Sequence, residues 1–167
     1  MSISHFVELL DKFRAGAKMM EHPWDRPENL PYFRVPQFRY MIHVKTDTKE
    51  KFTVICLTEP RIPVNMAEEW DNLLLPYLDK PVPHIVLNLS ELEEMAPDSG
   101  ERLAGIQQQF YERNCSMVIC CLKPGVEKML DEQGLLEQMN VTPTESEAWD
   151  IVQMEEIERE LMEGFDQ

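Results

Sequence analysis

Two short stretches constrain this chain most: His84-Ile85-Val86-Leu87-Asn88-Leu89 and Met117-Val118-Ile119-Cys120-Cys121-Leu122. Both are nearly continuous apolar runs, the pattern of strands buried on both faces. The spacing around them is helical. Leu103, Ile106 and Phe110 repeat at helical intervals across residues 99–113, and Val126, Met129 and Leu130 mark a short helix closed by Gly134. Met139-Asn140-Val141 reads as a minimal strand. Thr144 and Glu147 form a capping box that opens a last helix, whose stripe is Trp149, Val152 (or Ile151), Met154, Ile157 and Leu161. Upstream, Phe38, Tyr40, Ile42 and Val44 fall on one face of a strand. Thr46-Asp47-Thr48-Lys49 is expected to turn into a second strand, Phe52–Leu57, so residues 37–57 read as a hairpin. Pro60 and Pro63 mark a loop. Residues 65–78 read as a helix capped by Asn65, with Met66, Trp70, Leu73, Leu74 and Tyr77 on one face and Pro76 ending or kinking it. The order is a strand pair followed by alternating helices and strands. It predicts an α/β domain with a mixed sheet of about four to five strands covered by helices.

The ends differ from this core. Residues 2–20 read as an amphipathic helix, with Phe6, Leu9, Leu10 and Phe13 at i, i+3, i+4 and i+7. Residues 22–36 carry four prolines and three aromatics, which exclude helix and interior strand and suggest an arm packed on a surface. The expected organisation is therefore an extension over 1–36, a domain over 37–160 and a tail over 161–167. Residues 145–166 hold nine acids and one base, Arg159. This last helix is expected to fold back over the sheet. If it left the domain, its stripe would need a partner.

Composition removes several function classes. The net charge of −15 is uneven: residues 1–80 hold 11 Lys/Arg and 12 Asp/Glu, leaving 5 and 19 for residues 81–167. Such an acidic second half repels phosphate backbones, which argues against nucleic acid; it reads equally as a surface that steers a basic protein partner and as a solubilising surface. No apolar run reaches the roughly 20 residues that span a bilayer, so no membrane insertion is expected. The start of the chain lacks a signal-peptide pattern, and cytoplasmic residence is the expectation. Cys56, Cys115, Cys120 and Cys121 have no C-x-x-C spacing, which argues against a zinc site, and Cys120 and Cys121, set in an apolar run, read as small core residues in a reducing compartment. His5, His22, His43 and His84 are scattered, the six glycines never cluster, and Ser99-Gly100 lacks a nucleophile-elbow frame. Neither a metal, a cofactor nor a catalytic residue is expected.

One stretch remains: Leu87-Asn88-Leu89-Ser90-Glu91-Leu92 followed by Ala96-Pro97-Asp98-Ser99-Gly100. With Leu122-Lys123-Pro124-Gly125-Val126, Met129-Leu130-x4-Leu135 and Glu147-Ala148, it resembles the STAS domain of anti-sigma-factor antagonists over roughly residues 37–155. In that family a buried strand ends in a Leu-Asp-Leu-Ser-like motif, and an Asp-Ser-Ser-Gly loop opens the next helix. The resemblance implies a non-enzymatic, regulatory protein-interaction domain whose partner is a kinase-like anti-sigma factor. That partner phosphorylates a Ser in the loop and so releases the antagonist. The phosphate would add about −1.5 to −2 charge at a helix N-terminus.

This chain departs from the motif. Anchored on Gly100, the acceptor position is Asp98; anchored on the strand, it is Pro97; with a gap, it is Ser99. Asn88 replaces the usual acid at the strand end. The resemblance thus places a regulatory position at Asp98, Ser99 and Gly100, with Pro97, Glu101 and Arg102 as partner-binding candidates. With Asp98 at the acceptor position, the loop carries one fixed negative charge, which suggests a member that phosphate does not switch or one held partly in an off-like state. The same residues read structurally as a helix start, with Asp98 or Ser99 as N-cap. The alternative function is a scaffold that homodimerises through residues 2–20. A third is an enzyme or small-ligand binder on the same fold.

Overall fold

The computed structural model describes residues 41–165. The expected helix over 2–20, the arm over 22–36, and Phe38 and Tyr40 of the first strand lie outside the described residues.

Five strands form one mixed sheet: β1 (Val44–Thr48), β2 (Thr53–Leu57), β4 (Ile85–Asn88), β6 (Met117–Cys120) and β7 (Val141–Thr142), in the order β1-β2-β4-β6-β7. β1 runs antiparallel to β2, and the other pairs are parallel. The register aligns Val54, Val86 and Val118 across the three central strands, and likewise Ile55, Leu87 and Ile119. Because side chains alternate faces along a strand, these two rows point to opposite sides. Both rows are buried, as the continuous apolar runs predict.

Three helices cover one face: α1 (Ala67–Leu74), α2 (Pro97–Glu112) and α3 (Pro124–Glu132). Trp70, Leu74, Leu103, Ile106, Phe110, Val126 and Leu130 form the larger core with the Ile55 row. Helix α4 (Glu145–Phe165) covers the other face, where Ala148 and Val152 pack with the valine row. α4 folds back over the sheet as expected, and it runs unbroken past residue 160. Thr144 Oγ1 accepts the Glu147 N–H at 3.3 Å and donates to the Glu147 carboxylate at 3.0 Å, so the predicted cap is present. α3 ends as predicted too. Gly134 adopts φ +67, its N–H donates to Asp131 O, and the Leu135 N–H donates to Leu130 O.

Three expectations fail. The turn is not at Thr46–Lys49: β1 runs through Thr48, and the Lys49 N–H bonds to Phe52 O at 2.7 Å. β1 is an edge strand with four exposed polar residues, so apolar alternation could not reveal it. Asn65 caps nothing: it lies inside a 3-10 turn (Val64–Met66) that leads into α1, which has no side-chain cap. Pro76, by contrast, bounds the helix as expected: α1 stops at Leu74, and the chain goes on as a 3-10 segment (Leu75–Asp79) with the proline in its first turn, where the missing N–H costs little. Finally, the loop around Pro60 contains β3 (Arg61–Ile62), which pairs in parallel with β5 (Glu94–Met95).

Candidate interaction site at the first turn of helix α2

The expected regulatory stretch lies beyond the C-terminal end of β4, where parallel α/β sheets collect their functional loops. Asn88 ends β4 in register with Cys56 and Cys120. Its Oδ1 accepts the Ser90 N–H at 2.9 Å, an Asx turn that bends the chain off the sheet. Its Nδ2 donates to Glu145 Oε2 at 2.6 Å, which ties the loop to the first turn of α4. This bond explains the amide where the motif carries an acid: an Asp would face a second carboxylate.

The loop then returns against β3. The Glu93 and Glu94 N–H groups donate to Pro60 O, and the Ala96 N–H donates to Ile62 O at 3.0 Å. Ala96, in extended conformation, is the N-cap of α2, and no side chain caps the helix. Neither Asp98 nor Ser99 holds that position, contrary to the helix-start expectation. Pro97 occupies the first helical turn, where its fixed φ suits the helix and its missing N–H is no loss. The helix therefore starts earlier and draws both residues inside it.

That shift decides what each residue presents. Pro97, Glu101 and Arg102 are exposed, and Asp98 is half-buried. Ser99 is completely buried, and its Oγ makes no hydrogen bond. Gly100 is buried against α3: a Cβ there would lie 2.9 Å from Gln133 Oε1 and from Leu130 Cδ2. Gln133 in turn donates to Pro97 O at 3.2 Å, fastening the loop to the end of α3. Arg102 forms a two-pronged ion pair with Asp71 on α1, its Nε donating at 2.8 Å. The exposed surface beside Asp98 is a groove of about 430 Å³ between α1 and α2, with Glu68 and Glu101 on its walls. Asp98 sits where the helix dipole favours a negative charge by about 0.3–1 kcal/mol. The site is thus a fixed carboxylate at a helix N-terminus with an inaccessible hydroxyl beside it. The Asn88–Glu145, Gln133–Pro97 and Arg102–Asp71 ties join residues far apart in sequence, and spacing gave no sign of them.

Three of the four cysteines are chemically quiet. Burial pushes the Cys56, Cys115 and Cys120 thiols up, and Cys121 adds to the effect on Cys120. Among the described residues, no three His, Cys, Asp or Glu side chains converge on a metal position, and no helix is long and apolar enough to cross a membrane.

Residues 32–148 match the STAS domain, and the chain belongs to that family. Solved structures agree on the fold. An anti-sigma factor antagonist from Mycobacterium paratuberculosis superposes with a TM-score of 0.59 at 16% identity, over 67% of this chain and 94% of that one. The antagonist SpoIIAA in its unphosphorylated form gives 0.53 at 19% identity, over 66% and 96%. A STAS domain protein from Planctomyces limnophilus gives 0.52 at 17% identity, over 63% and 93%.

Proposed function

We propose that this protein is a non-enzymatic regulatory binding module of the cytoplasm. It engages a protein partner of the kinase-like anti-sigma-factor type through the first turn of α2 and the groove beside it. Its binding is set by a permanent carboxylate and is not switched by phosphate. The burial of Ser99 carries this reading. Among residues 96–101 it is the sole hydroxyl, and a kinase could reach it only if the first turn of α2 unwound. Asp98 meanwhile supplies one negative charge, half to two-thirds of what a phosphate would bring. Pro97, Glu101 and Asp98 form the contact surface. Arg102 sets its shape through Asp71. The acidic walls select a basic patch on the partner.

The test is a calorimetric titration of the purified chain with a kinase-like anti-sigma factor from the same genome. Asp98→Lys should weaken binding at least tenfold, while Glu127→Gln on α3 should leave it unchanged. Equal affinity of the wild type and the Asp98→Lys chain would sink the assignment of this surface.

A further inference from the structure

A second surface lies on the opposite face of the sheet. Among the described residues, the exposed large apolar side chains include Met154, Ile157, Leu161 and Met162, which run from the middle of α4 towards its end. Met154, Ile157 and Leu161 stand at i, i+3 and i+7, one face of a helix. At about 100° per residue that face lies opposite Ala148 and Val152, which cover the sheet. The stripe cannot rotate inward, because the inner face of this half is occupied by a polar latch. Glu155 accepts from the Ser116 hydroxyl and from Asn140 Nδ2, Arg159 donates to Ser116 Oγ at 2.9 Å, and Glu156 pairs with His84 at 3.0 Å. The latch holds an apolar ridge towards solvent.

Around α4 from the ridge, past Glu158, lies a groove of about 740 Å³ between α4 and the end of α2, lined by Met162 and not by the three ridge residues. Tyr111, 76% exposed, faces the groove from α2, and Met162, 73% exposed, from α4. Glu112, Glu158 and Glu163 ring these two anchors. Arg159, the groove's one base, is already bonded to Ser116 and Glu156. We propose that this ridge and groove dock an amphipathic helix of a partner protein, one whose apolar stripe is flanked by lysines or arginines. Apolar anchors bordered by carboxylates call for such a helix. A second copy fits poorly, since a two-fold contact would set Glu158 and Glu163 against like charges. An anionic membrane surface is repelled for the same reason. Tyr111 lies 13 residues along α2 from Asp98, about 20 Å by helical rise, so this surface is separate from the one proposed above.

The probe is a fluorescein-labelled 21-residue peptide with leucines at heptad a and d positions, lysines at e and g and alanines elsewhere. Its control is a scramble of identical composition. Fluorescence anisotropy with the full chain should show saturable binding of the patterned peptide, at least tenfold tighter than the scramble. Ile157→Gln with Leu161→Gln, and separately Met162→Gln, should each weaken it about tenfold, and Glu127→Gln should not. These side chains are exposed, so circular dichroism should show every variant folded. Equal binding of the two peptides, or full binding by the glutamine variants, overturns the proposal. So does a protein that is dimeric without peptide and becomes monomeric on Ile157→Gln, because the ridge would then be a contact between copies.

Discussion

Replacing Asn88 by Asp tests the most specific feature of the loop. The change removes the charge-assisted bond from Nδ2 to Glu145 and leaves the Asx turn to Ser90 intact. A hydrogen bond to a charged group contributes about 1.5–3 kcal/mol. Two carboxylates about 3 Å apart in a half-buried setting repel by about 1–4 kcal/mol, and part of that is lost as Glu145 swings away. The net cost expected is about 2–4 kcal/mol. In urea, with a slope of about 1–3 kcal/mol/M, the midpoint should fall by about 1–2 M. Thermal unfolding should move down by about 10 °C. Trp70 and Trp149 lie in the two cores and provide a fluorescence signal. Glu145→Gln in the Asn88→Asp background should recover most of the loss, with a coupling of at least about 1 kcal/mol. A variant within about 0.5 kcal/mol of wild type, or a cost unchanged by Glu145→Gln, would refute the role given to this bond.

Other outcomes follow from the same structure. Ser99→Ala should be neutral or stabilising by up to about 1 kcal/mol, because the buried hydroxyl makes no bond, whereas Ser99→Asp should cost about 3–5 kcal/mol by burying an unpaired charge; equal urea midpoints for the two would contradict the burial. Gly100→Val should cost about 1–3 kcal/mol, since its side chain meets Leu130 and Gln133, and chemical shifts at Pro97 and Asp98 should move with it. Burial and the nearby Arg159 push His84 down, outweighing Glu156, and its Nδ1 accepts the Ser116 N–H only when unprotonated. A depressed folded-state value means that stability is complete above about pH 6.5 and is lost as pH falls below it. Glu156 is also held low: burial would raise it, but Arg159 and His84 prevail, so its share is lost only below about pH 4.5. The unfolding midpoint should therefore drop between pH 7 and 5, and His84→Gln should flatten that drop; an unchanged slope would exclude the imidazole.

Much of this fold was legible because burial patterns here follow simple periods. The runs at 85–87 and 117–120 could be read as two-sided strands, and Gly134 and Thr144 closed and opened helices as their chemistry demands. The hairpin of β1 and β2 was read, but the run of β1 past Val44 escaped because its side chains there are polar and solvent-facing, and β3 and β5 escaped because two residues carry no period. At the candidate site the motif located the right turn, but capping preferences misplaced Asp98 and Ser99. Pro97 competes for the start of the helix and wins, which turns an expected surface serine into a buried one. The stripe of α4 shows the same limit. Its spacing was visible, but Met154, Ile157 and Leu161 belong to the outer face. Polar bonds from Glu155, Glu156 and Arg159 fix the helix rotation, and a sequence does not display such partners.

The central claim is that binding at α2 is fixed and not switched. The decisive measurement is to incubate the chain with a kinase-like anti-sigma factor from the same genome and ATP, then read both the affinity and the intact mass of the peptide spanning residues 96–101. Unchanged affinity and no phosphate on Ser99 are expected. Stoichiometric phosphoserine at Ser99 with release of the partner would contradict it.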